Sequence, residues 1–319
     1  MIITHMIPTQ EASIGVVIPA YRVKAQVLEV INSIGPEVQK IIVVDDACPE
    51  KSGEYVKQNT KDSRVEVIFH DVNMGVGGAV KTGYRRALEL KLDIIVKIDG
   101  DGQMDNSKIE EIVTPLKSGL ADYAKGNRFF DVEAVRSMPK VRILGNLGLS
   151  FMTKLSSGYW QIFDPNNGFT AISKSKLQLI PLEKVDNRYF FESDMLFRLY
   201  LEGADVKDIS MPAIYGSEKS NLSIRRVLIE FPVKHTRNLV KRILYTYYLR
   251  DFNLASIELP IGTTLLTLGL GVGSFSWING IRNQVETQPG TLILFSTCTL
   301  VGIQLLLSFF DFDINRKSK

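Results

Sequence analysis

The chain reads Asp93-Ile94-Ile95-Val96-Lys97-Ile98-Asp99-Gly100-Asp101-Gly102-Gln103 at the end of its first hundred residues. The first half of this stretch is a β-branched run without polar alternation, which is typical of a strand buried on both faces of a parallel sheet. The second half is acidic and glycine-rich, and it begins where the strand ends. Because open α/β sheets bind ligands outside the carboxyl ends of their strands, we predict an α/β fold with a site at Asp99 and Asp101.

The same pattern recurs along the first 130 residues, where short apolar runs alternate with segments of helical periodicity. We predict strands at 14–18, 40–44, 65–70 and 93–98, and helices at 23–34, 79–90 and 107–117. This order indicates a mostly parallel sheet with helices on both faces. The second strand also ends in an acidic pair, Asp45 and Asp46, so polar side chains are expected to collect at one edge of the sheet.

Asp99 and Asp101 suit a metal ion. Two carboxylates one residue apart at a strand end can bind a hard divalent cation and leave positions for phosphate oxygens and water. An isolated Asp-x-Asp is usually only a turn, but here a second acidic pair ends another strand. The residues alone therefore favour a site for a nucleotide and a divalent metal ion.

Two other phosphate-binding patterns are incomplete. The stretch Gly75-Val76-Gly77-Gly78-Ala79-Val80 lacks the last glycine of the dinucleotide fingerprint, and Val80 stands where a P-loop has glycine. We expect these glycines to let the backbone approach a ligand and to open the following helix. His5, His70 and His235 have no metal-ligand spacing and are expected to be structural or solvated.

Composition excludes several classes of protein. The formal net charge is only +3, which argues against a nucleic-acid binder that acts through bulk charge. Hydrophobic residues make up 45% of the chain and charged residues 23%, so a disordered or fibrous chain is excluded. Cys48 and Cys298 cannot form a disulfide framework or a zinc site, which indicates a reducing compartment.

The C-terminal third contains two long uncharged stretches, 259–281 and 287–310, separated by 282–286. Each is long enough to cross about 30 Å of hydrocarbon as a helix, so we predict a transmembrane hairpin. A buried helical pair in a soluble core is the alternative. Basic residues flank both ends of the hairpin, and the positive-inside rule places both ends in the cytoplasm. No signal peptide is recognisable at the N-terminus, so the large N-terminal part is expected to stay in the cytoplasm.

The segment 223–251 has seven basic residues, one Glu, and apolar residues near helical spacing. We predict two basic amphipathic helices, separated by a break at Pro232, in the lipid headgroup layer. The alternative is that this segment covers the soluble domain.

Six motifs carry a family resemblance. They are Pro19-Ala20-Tyr21, Val43-Val44-Asp45-Asp46, Asn73-Met74-Gly75-Val76-Gly77-Gly78-Ala79, Asp99-Gly100-Asp101-Gly102-Gln103, Gly126-Asn127-Arg128 and Asp164-Pro165-Asn166-Asn167-Gly168-Phe169. In this order they resemble glycosyltransferase family 2, and specifically its polyprenyl-phosphate branch, typified by dolichol-phosphate mannose synthase. The resemblance covers about residues 14–215, and the hairpin matches the two-span members of that branch.

The resemblance implies a GT-A fold, a Rossmann-like α/β domain. It also implies inverting transfer of one sugar from a UDP- or GDP-sugar to undecaprenyl or dolichyl phosphate, giving a lipid-linked sugar for cell-surface glycan or glycoprotein synthesis. By position, the resemblance assigns nucleoside binding to Pro19, Tyr21, Asp45 and Asp46. It assigns binding of Mg²⁺ or Mn²⁺, together with the donor diphosphate, to Asp99, Asp101 and Gln103. It assigns binding of the acceptor phosphate to Arg128 and Arg142. Asp101, Arg128 and Arg142 are thus the expected catalytic residues.

The chain departs from the family pattern at two places. Arg22 and Val23 stand where the family has Asn and Glu, so the Glu expected at the ribose is absent. Cys48 replaces a small Ser after the acidic pair.

We predict a glycosyltransferase domain at 1–221, basic juxtamembrane helices at 222–256, and two transmembrane helices within 257–319, at about 259–281 and 288–310. The expected partners are a nucleotide-sugar, a polyprenyl phosphate and a lipid bilayer, and no nucleic acid is expected. The bilayer would be a bacterial or archaeal inner membrane or the membrane of the endoplasmic reticulum. The sequence does not decide whether the protein forms a homo-oligomer. One alternative is transfer to a sugar hydroxyl with Glu192 or Asp194 as the base. A remote alternative is a non-catalytic nucleotide-sugar-binding membrane protein.

Overall fold

The computed structural model of the chain describes residues 12–130, 140–211 and 224–316, without the side chains of 140–142, 144 and 224–228. The described residues form two compact units, which meet in sequence between Asn238 and Leu239.

The N-terminal unit is built on a seven-stranded sheet. Its strands are β1 (Ile14–Ala20), β2 (Lys40–Asp45), β3 (Val65–Phe69), β4 (Ile94–Lys97), β5 (Tyr123–Asn127), β6 (Thr170–Ser173) and β7 (Val206–Ser210). Their order across the sheet is β3-β2-β1-β4-β6-β5-β7, and only β6 runs antiparallel to its neighbours. The predicted, mostly parallel α/β fold is therefore confirmed.

Helices cover both faces of the sheet. They are α1 (Val27–Asn32), α2 (Ser52–Asn59), α3 (Val76–Glu89), α4 (Ile109–Lys117), α5 (Lys140–Ser157), α6 (Lys174–Leu177) and α7 (Phe191–Leu201). Successive strand residues point to opposite faces. Val43 and Val96 accordingly pack in the core that α1 and α4 close, whereas Ile42 and Ile95 pack in the core of α3 and α7.

The register brings the predicted site residues to one edge of the sheet. Pro19 and Ala20 of β1 pair with Val44 and Asp45 of β2, so both strands end at the same level. Lys97, the last residue of β4, pairs with Thr170 of β6. Since β6 is antiparallel, the residues just before it lie beside the residues just after β4.

The helix α8 (Ile224–Leu244) runs through Pro232 without a break, so the prediction of two helices was wrong. Proline removes one backbone hydrogen bond from a helix interior. Phe231, His235 and Asn238 are nevertheless all buried, and they form one face across the proline. Burial of this face stabilises the continuous helix.

The C-terminal unit contains two helices long and apolar enough to cross a membrane, α9 (Leu254–Asn283) and α10 (Pro289–Asn315). The first predicted span, 259–281, lies within α9, and the second, 287–310, overlaps α10 from Pro289 onward. The two helices pack closely at Gly262, Gly269 and Gly302, where an added methyl group would meet the backbone of the other helix. Close approach at small residues is common where membrane helices associate.

A buried polar cluster lies in the same unit. Arg242 donates from both terminal nitrogens to Asp313, at 2.6 and 3.0 Å, and the Tyr247 hydroxyl donates to the same carboxylate at 2.7 Å. Tyr247 belongs to a π-helical turn (Tyr245–Arg250) that follows α8. The cluster ties this turn and the end of α8 to the end of α10.

Candidate active site

Asp99 follows β4 and forms an ion pair with a buried lysine. The Lys97 ammonium donates to Asp99 Oδ1 at 2.7 Å and to the Gly168 carbonyl at 3.2 Å, and it lies 3.2 Å from Glu192 Oε1. Lys97 is 1% exposed and Asp99 31% exposed at the side chain. The Asp99 carboxylate is thus held from within the protein by Lys97, while its side chain remains partly exposed.

Burial and charge act in opposite directions on the two buried groups. Burial alone lowers the pKa of Lys97, but the Asp99 and Glu192 carboxylates outweigh it and raise that pKa well above its usual range. Burial raises the pKa of Glu192, and the Lys97 charge opposes this increase. Lys97 is therefore a permanent cation beside Asp99.

Gly168 is placed where no side chain fits. A methyl group there would collide with the Asp99 carboxylate and with the Lys97 ammonium. The glycine of the Asp164-Pro165-Asn166-Asn167-Gly168-Phe169 motif therefore permits the close packing of the loop before β6 against the end of β4.

Asp101 and Gln103 lie on the loop after Asp99. The Gln103 backbone N–H donates to Asp101 Oδ1 at 3.1 Å, and Gly102 between them has φ +72°, in the left-handed region that glycine tolerates. This turn keeps the two carboxylates on one short loop.

The donor set fits a divalent cation that is shared with a diphosphate. Asp99 and Asp101 offer carboxylate oxygens, which Mg²⁺ and Mn²⁺ prefer. Within the described residues, no cluster of three or more His, Cys, Asp or Glu side chains is arranged to hold a metal ion. A cation here would need the remaining oxygen ligands from a diphosphate and water.

The acidic pair after β2 shapes the neighbouring loops. Asp45 accepts hydrogen bonds from the Cys48 N–H at 2.7 Å and the Gly53 N–H at 2.5 Å. Asp46 accepts from the backbone N–H groups of Met74 and Gly75 at 2.8 and 2.7 Å.

His70 completes the Asp46 cluster. Its Nδ1 lies 2.8 Å from Asp46 Oδ1, and its Nε2 lies 2.9 Å from the Thr82 hydroxyl. Asp46 is 2% exposed and Asp45 3% exposed. Both carboxylates therefore hold backbone in place, and their predicted contacts with a nucleoside stay a prediction.

The loop after β1 explains the departures from the family pattern. Val23 is buried in the core, where a methyl group added at Gly100 would meet its side chain. Arg22 has φ +58°, its backbone N–H donates to Cys48 Sγ at 3.0 Å, and its guanidinium lies over the Tyr21 ring. Pro19 is buried in β1, whereas Tyr21 is 39% exposed.

Arg128 follows β5 at the same edge, and its guanidinium is bound to Asp164. Nε and Nη2 donate to the two carboxylate oxygens at 2.7 and 2.8 Å. The Arg128 fork is thus oriented by a buried carboxylate, and its contact with an acceptor phosphate stays a prediction. Burial raises the pKa of Asp164, but Arg128 outweighs this and the net shift is downward. Arg142 lies in α5, and its side chain is outside the described residues.

The two candidate bases have different surroundings. Glu192 forms an ion pair with Lys97, which also binds Asp99. Asp194 accepts instead from the Asp186 backbone N–H, from Arg198 and from the Asn238 amide. Asp194 is therefore a structural anchor of α7, and only Glu192 is near Asp99.

The glycines at the start of α3 contact the protein itself. Methyl groups at Gly75 and Gly77 would collide with the backbone of Asn187 and Asp186, and the Gly78 N–H donates to the Asn187 carbonyl at 2.9 Å. The expectation that they open the helix is confirmed, because Gly75 with φ +90° precedes Val76. The close approach they permit is to the loop before α7.

Sequence reasoning missed Lys97 and Gly168 as site residues. Lys97 was visible as a charge inside a buried apolar run, and such a charge requires a partner. Gly168 was visible within its motif, but only the antiparallel pairing of β6 shows that it adjoins Asp99.

Comparison with known proteins shows which family the chain belongs to. The family description "Glycosyl transferase family 2" matches residues 15–180, which is more than half of the chain. An uncharacterised protein of Methanocaldococcus jannaschii is 33% identical over 203 residues, covering 63% of this chain and 82% of the relative. The UDP-N-acetylglucosamine–dolichyl-phosphate N-acetylglucosaminyltransferase of Methanococcus voltae is 30% identical over 234 residues, covering 69% and 92%.

A solved structure shares the fold. Glucosyl-3-phosphoglycerate synthase from Mycobacterium tuberculosis, in complex with Mn²⁺, UDP-glucose and phosphoglyceric acid, superimposes with a TM-score of 0.53 at 19% identity, covering 73% of this chain and 80% of that chain. The fold is therefore of the GT-A type. The chain belongs to glycosyltransferase family 2, and the relative from Methanococcus voltae acts on a dolichyl phosphate, as its name says.

Proposed function

We propose that this protein transfers one sugar from a nucleotide-sugar to a polyprenyl phosphate at the cytoplasmic face of a membrane. The observation that carries the proposal is the presence on one chain of a strand-end carboxylate pair, Asp99 and Asp101, and a hairpin of membrane-spanning length. A water-soluble donor suits the first feature, and a lipid acceptor suits the second. The family and the dolichyl-phosphate relative support the same assignment.

The reaction requires little proton transfer. A lipid phosphate monoester is already mostly ionised near neutral pH, so its oxygen can attack the anomeric carbon without a strong base. The task of the protein is to position two anions that repel each other and to stabilise the leaving diphosphate. In-line displacement of this kind inverts the anomeric configuration.

The proposed roles are those that the family resemblance assigns to these positions. Asp99, Asp101 and Gln103 hold Mg²⁺ or Mn²⁺, which when bound neutralises charge on the leaving diphosphate. Tyr21 offers an exposed ring to the nucleoside, with Pro19, Asp45 and Asp46 shaping the pocket floor. Arg128, oriented by Asp164, binds the acceptor phosphate with Arg142 as a second cation.

The experiment is a transfer assay with the full chain in detergent or vesicles. UDP- and GDP-sugars are screened against short polyprenyl phosphates, with product mass as the readout, and UDP-N-acetylglucosamine is the first donor. We expect one sugar–phosphate–lipid product that requires a divalent cation. Asp101→Asn, which removes charge at nearly constant volume, should abolish the product without altering the melting temperature. Wild-type turnover that persists in excess chelator would falsify the metal site.

A second function is favoured by one observation. Glu192 lies beside Lys97 and Asp99, where a base for a sugar hydroxyl would be needed. Transfer to a soluble sugar acceptor, lost in Glu192→Gln and absent with polyprenyl phosphate, would establish this alternative. Binding of nucleotide-sugars without transfer to either acceptor would instead indicate a non-catalytic protein.

A further inference from the structure

Lys97 is a charged residue in the interior of the sheet that neither the donor site nor the acceptor site uses directly. An isolated charge is very unfavourable in a protein interior, so it must be paired. The ammonium of Lys97 donates to Asp99 Oδ1 and to the Gly168 carbonyl, and it forms an ion pair with Glu192 Oε1 at 3.2 Å. Two carboxylates and one carbonyl thus hold the ammonium in position.

The same contacts restrict the Asp99 carboxylate. Lys97 holds one oxygen from the interior, and the backbone of Gly168 closes off the space beside the other. The carboxylate can therefore rotate little. Glu192 adds no contact to Asp99, but as the second anion at Lys97 it keeps the ammonium at this point.

We propose that Lys97 is a positioning residue that orients Asp99 for the divalent cation, with Glu192 as the counter-charge that keeps Lys97 in place. The inference rests on the proposed function, since it requires a metal ion at Asp99 and Asp101. Groups that hydrogen-bond to a ligating carboxylate typically change metal affinity 10- to 100-fold when they are removed. Glu192 then acts through Lys97 and takes no proton from an acceptor.

The test measures Mn²⁺ binding to the full chain by electron paramagnetic resonance, with and without UDP. Lys97→Met is combined with Glu192→Gln, so that one positive and one negative charge are removed together and no buried charge is left alone. Gly168→Ala displaces the pair by steric contact and changes no charge. We expect both variants to bind Mn²⁺ about 10- to 100-fold more weakly, while UDP affinity in the absence of metal is unchanged.

Two matched controls accompany these variants. Gly145→Ala adds a methyl group in open space on α5. Lys125→Met with Asp208→Asn removes another buried ion pair, 3.4 Å long, from the neighbouring strands β5 and β7. Both controls should retain wild-type Mn²⁺ affinity. Wild-type Mn²⁺ affinity in the Lys97→Met/Glu192→Gln and Gly168→Ala variants would overturn the positioning role.

Glu192→Gln alone separates positioning from base catalysis. Positioning predicts a raised KM for the metal, with kcat largely recovered at saturating Mn²⁺. A general base predicts that kcat falls about 100-fold or more at any Mn²⁺ concentration, and that result would also overturn the proposal. Failure of the wild-type protein to bind Mn²⁺ with UDP present would instead contradict the metal site of the proposed function.

Discussion

Arg128 shows how a single residue is prepared for an anion. Its fork is already bound to the buried Asp164 carboxylate, and Asp164 has φ +52°, an unusual conformation for a residue other than glycine. The backbone at this point is held in a left-handed turn that places the carboxylate under Arg128. An incoming phosphate therefore meets a guanidinium of fixed orientation.

We predict that Arg128→Lys strongly raises the KM for polyprenyl phosphate, while the protein still binds UDP. An ammonium cannot bind Asp164 through two parallel hydrogen bonds and present a fixed face to a phosphate. The measurement compares the KM for polyprenyl phosphate with the dissociation constant for UDP. Asp164→Asn keeps the shape of the side chain but holds Arg128 less firmly, so it should raise the KM for polyprenyl phosphate less than Arg128→Lys does. Loss of UDP affinity in Arg128→Lys would reassign this arginine to the donor diphosphate.

His235 is a second residue whose surroundings lead to a measurable prediction. The ring packs against Phe190 and Phe231, and its Nδ1 lies 2.8 Å from the Ser156 hydroxyl. Burial lowers the pKa of His235 to about 4. Because the unfolded chain binds a proton here below about pH 6.5 and the folded chain does not, the stability contribution is complete above that pH and is lost as the pH falls towards 4.

Acidification from pH 7 to pH 5 should therefore cost about 2 kcal/mol of folding free energy through this ring. His235→Phe retains the aromatic packing and removes the titration, so its stability should fall less over the same range. Melting temperatures of both proteins in detergent at the two pH values provide the check. Parallel loss of stability in the two proteins would show that His235 does not titrate in this way.

At the scale of elements, α7 is held in place by Asp194. The carboxylate accepts from the backbone N–H of Asp186, from Arg198 in the next turn, and from Asn238 of α8. Asp186 in turn forms an ion pair with Lys234 at 2.6 Å. The helix that carries Glu192 to Lys97 is thus anchored to α8 through a polar network.

We predict that Asp194→Ala lowers the free energy of unfolding by about 3 kcal/mol, because it removes a buried carboxylate that accepts from Asp186, Arg198 and Asn238. Glu183→Ala, at an exposed position nearby, should change stability by less than about 0.5 kcal/mol. Thermal unfolding in detergent measures both. An unchanged melting temperature together with lost transfer in Asp194→Ala would instead support Asp194 as a base.

The elements that sequence predicted share a physical signal. The strands β1 to β4 are buried on both faces or carry apolar runs, and their polar ends predicted the edge where Asp99 and Asp45 lie. The sequence did not predict the strands β5, β6 and β7, because they lack a comparable apolar run. β5 is Tyr-Ala-Lys-Gly-Asn, β6 is Thr-Ala-Ile-Ser and β7 is Val-Lys-Asp-Ile-Ser, so none of them has the run of three or more Val and Ile residues that β1, β2 and β4 have.

Some residues of the candidate site could likewise be predicted from the sequence, and others could not. The sequence predicts Asp99 and Asp101 as site residues, because both directly follow one buried strand. The contact between Lys97 and Glu192 joins residues 95 positions apart. It depends on how α7 packs against the sheet, and no local pattern encodes that packing. The continuity of α8 through Pro232 likewise follows from its tertiary packing.

At the scale of the whole molecule, α8 presents two different faces. Phe231, His235, Asn238 and Arg242 are buried. Ile229, Val233, Val240 and Leu244 are exposed large apolar residues at spacings of four and seven, which place them on one stripe. Arg237 and Lys241 are also exposed. An apolar stripe beside basic side chains is the pattern of a helix that lies in the headgroup layer.

Arg242 does not belong to this exposed basic surface. The uninterrupted basic sequence suggests that it faces lipid with its neighbours, but it is 1% exposed and bound to Asp313. Reversing its charge would place two anions together in the interior of the C-terminal unit. A test of membrane docking therefore has to leave Arg242 in place.

We predict that Arg237→Glu with Lys241→Glu lowers turnover on polyprenyl phosphate embedded in anionic vesicles and leaves UDP binding unchanged. Each basic side chain near an anionic leaflet contributes on the order of 1 kcal/mol, and reversal replaces this attraction with repulsion. Lys57→Glu with Lys61→Glu, at two exposed lysines in and just after α2, makes the same change in net charge and should leave turnover at the wild-type level. The deficit should shrink at high salt, since screening weakens both attraction and repulsion. Turnover on a short, water-soluble acceptor should survive the reversal, because that acceptor reaches Arg128 without a bilayer. Equal loss on both acceptors would show that Arg237 and Lys241 support the fold or the active site directly.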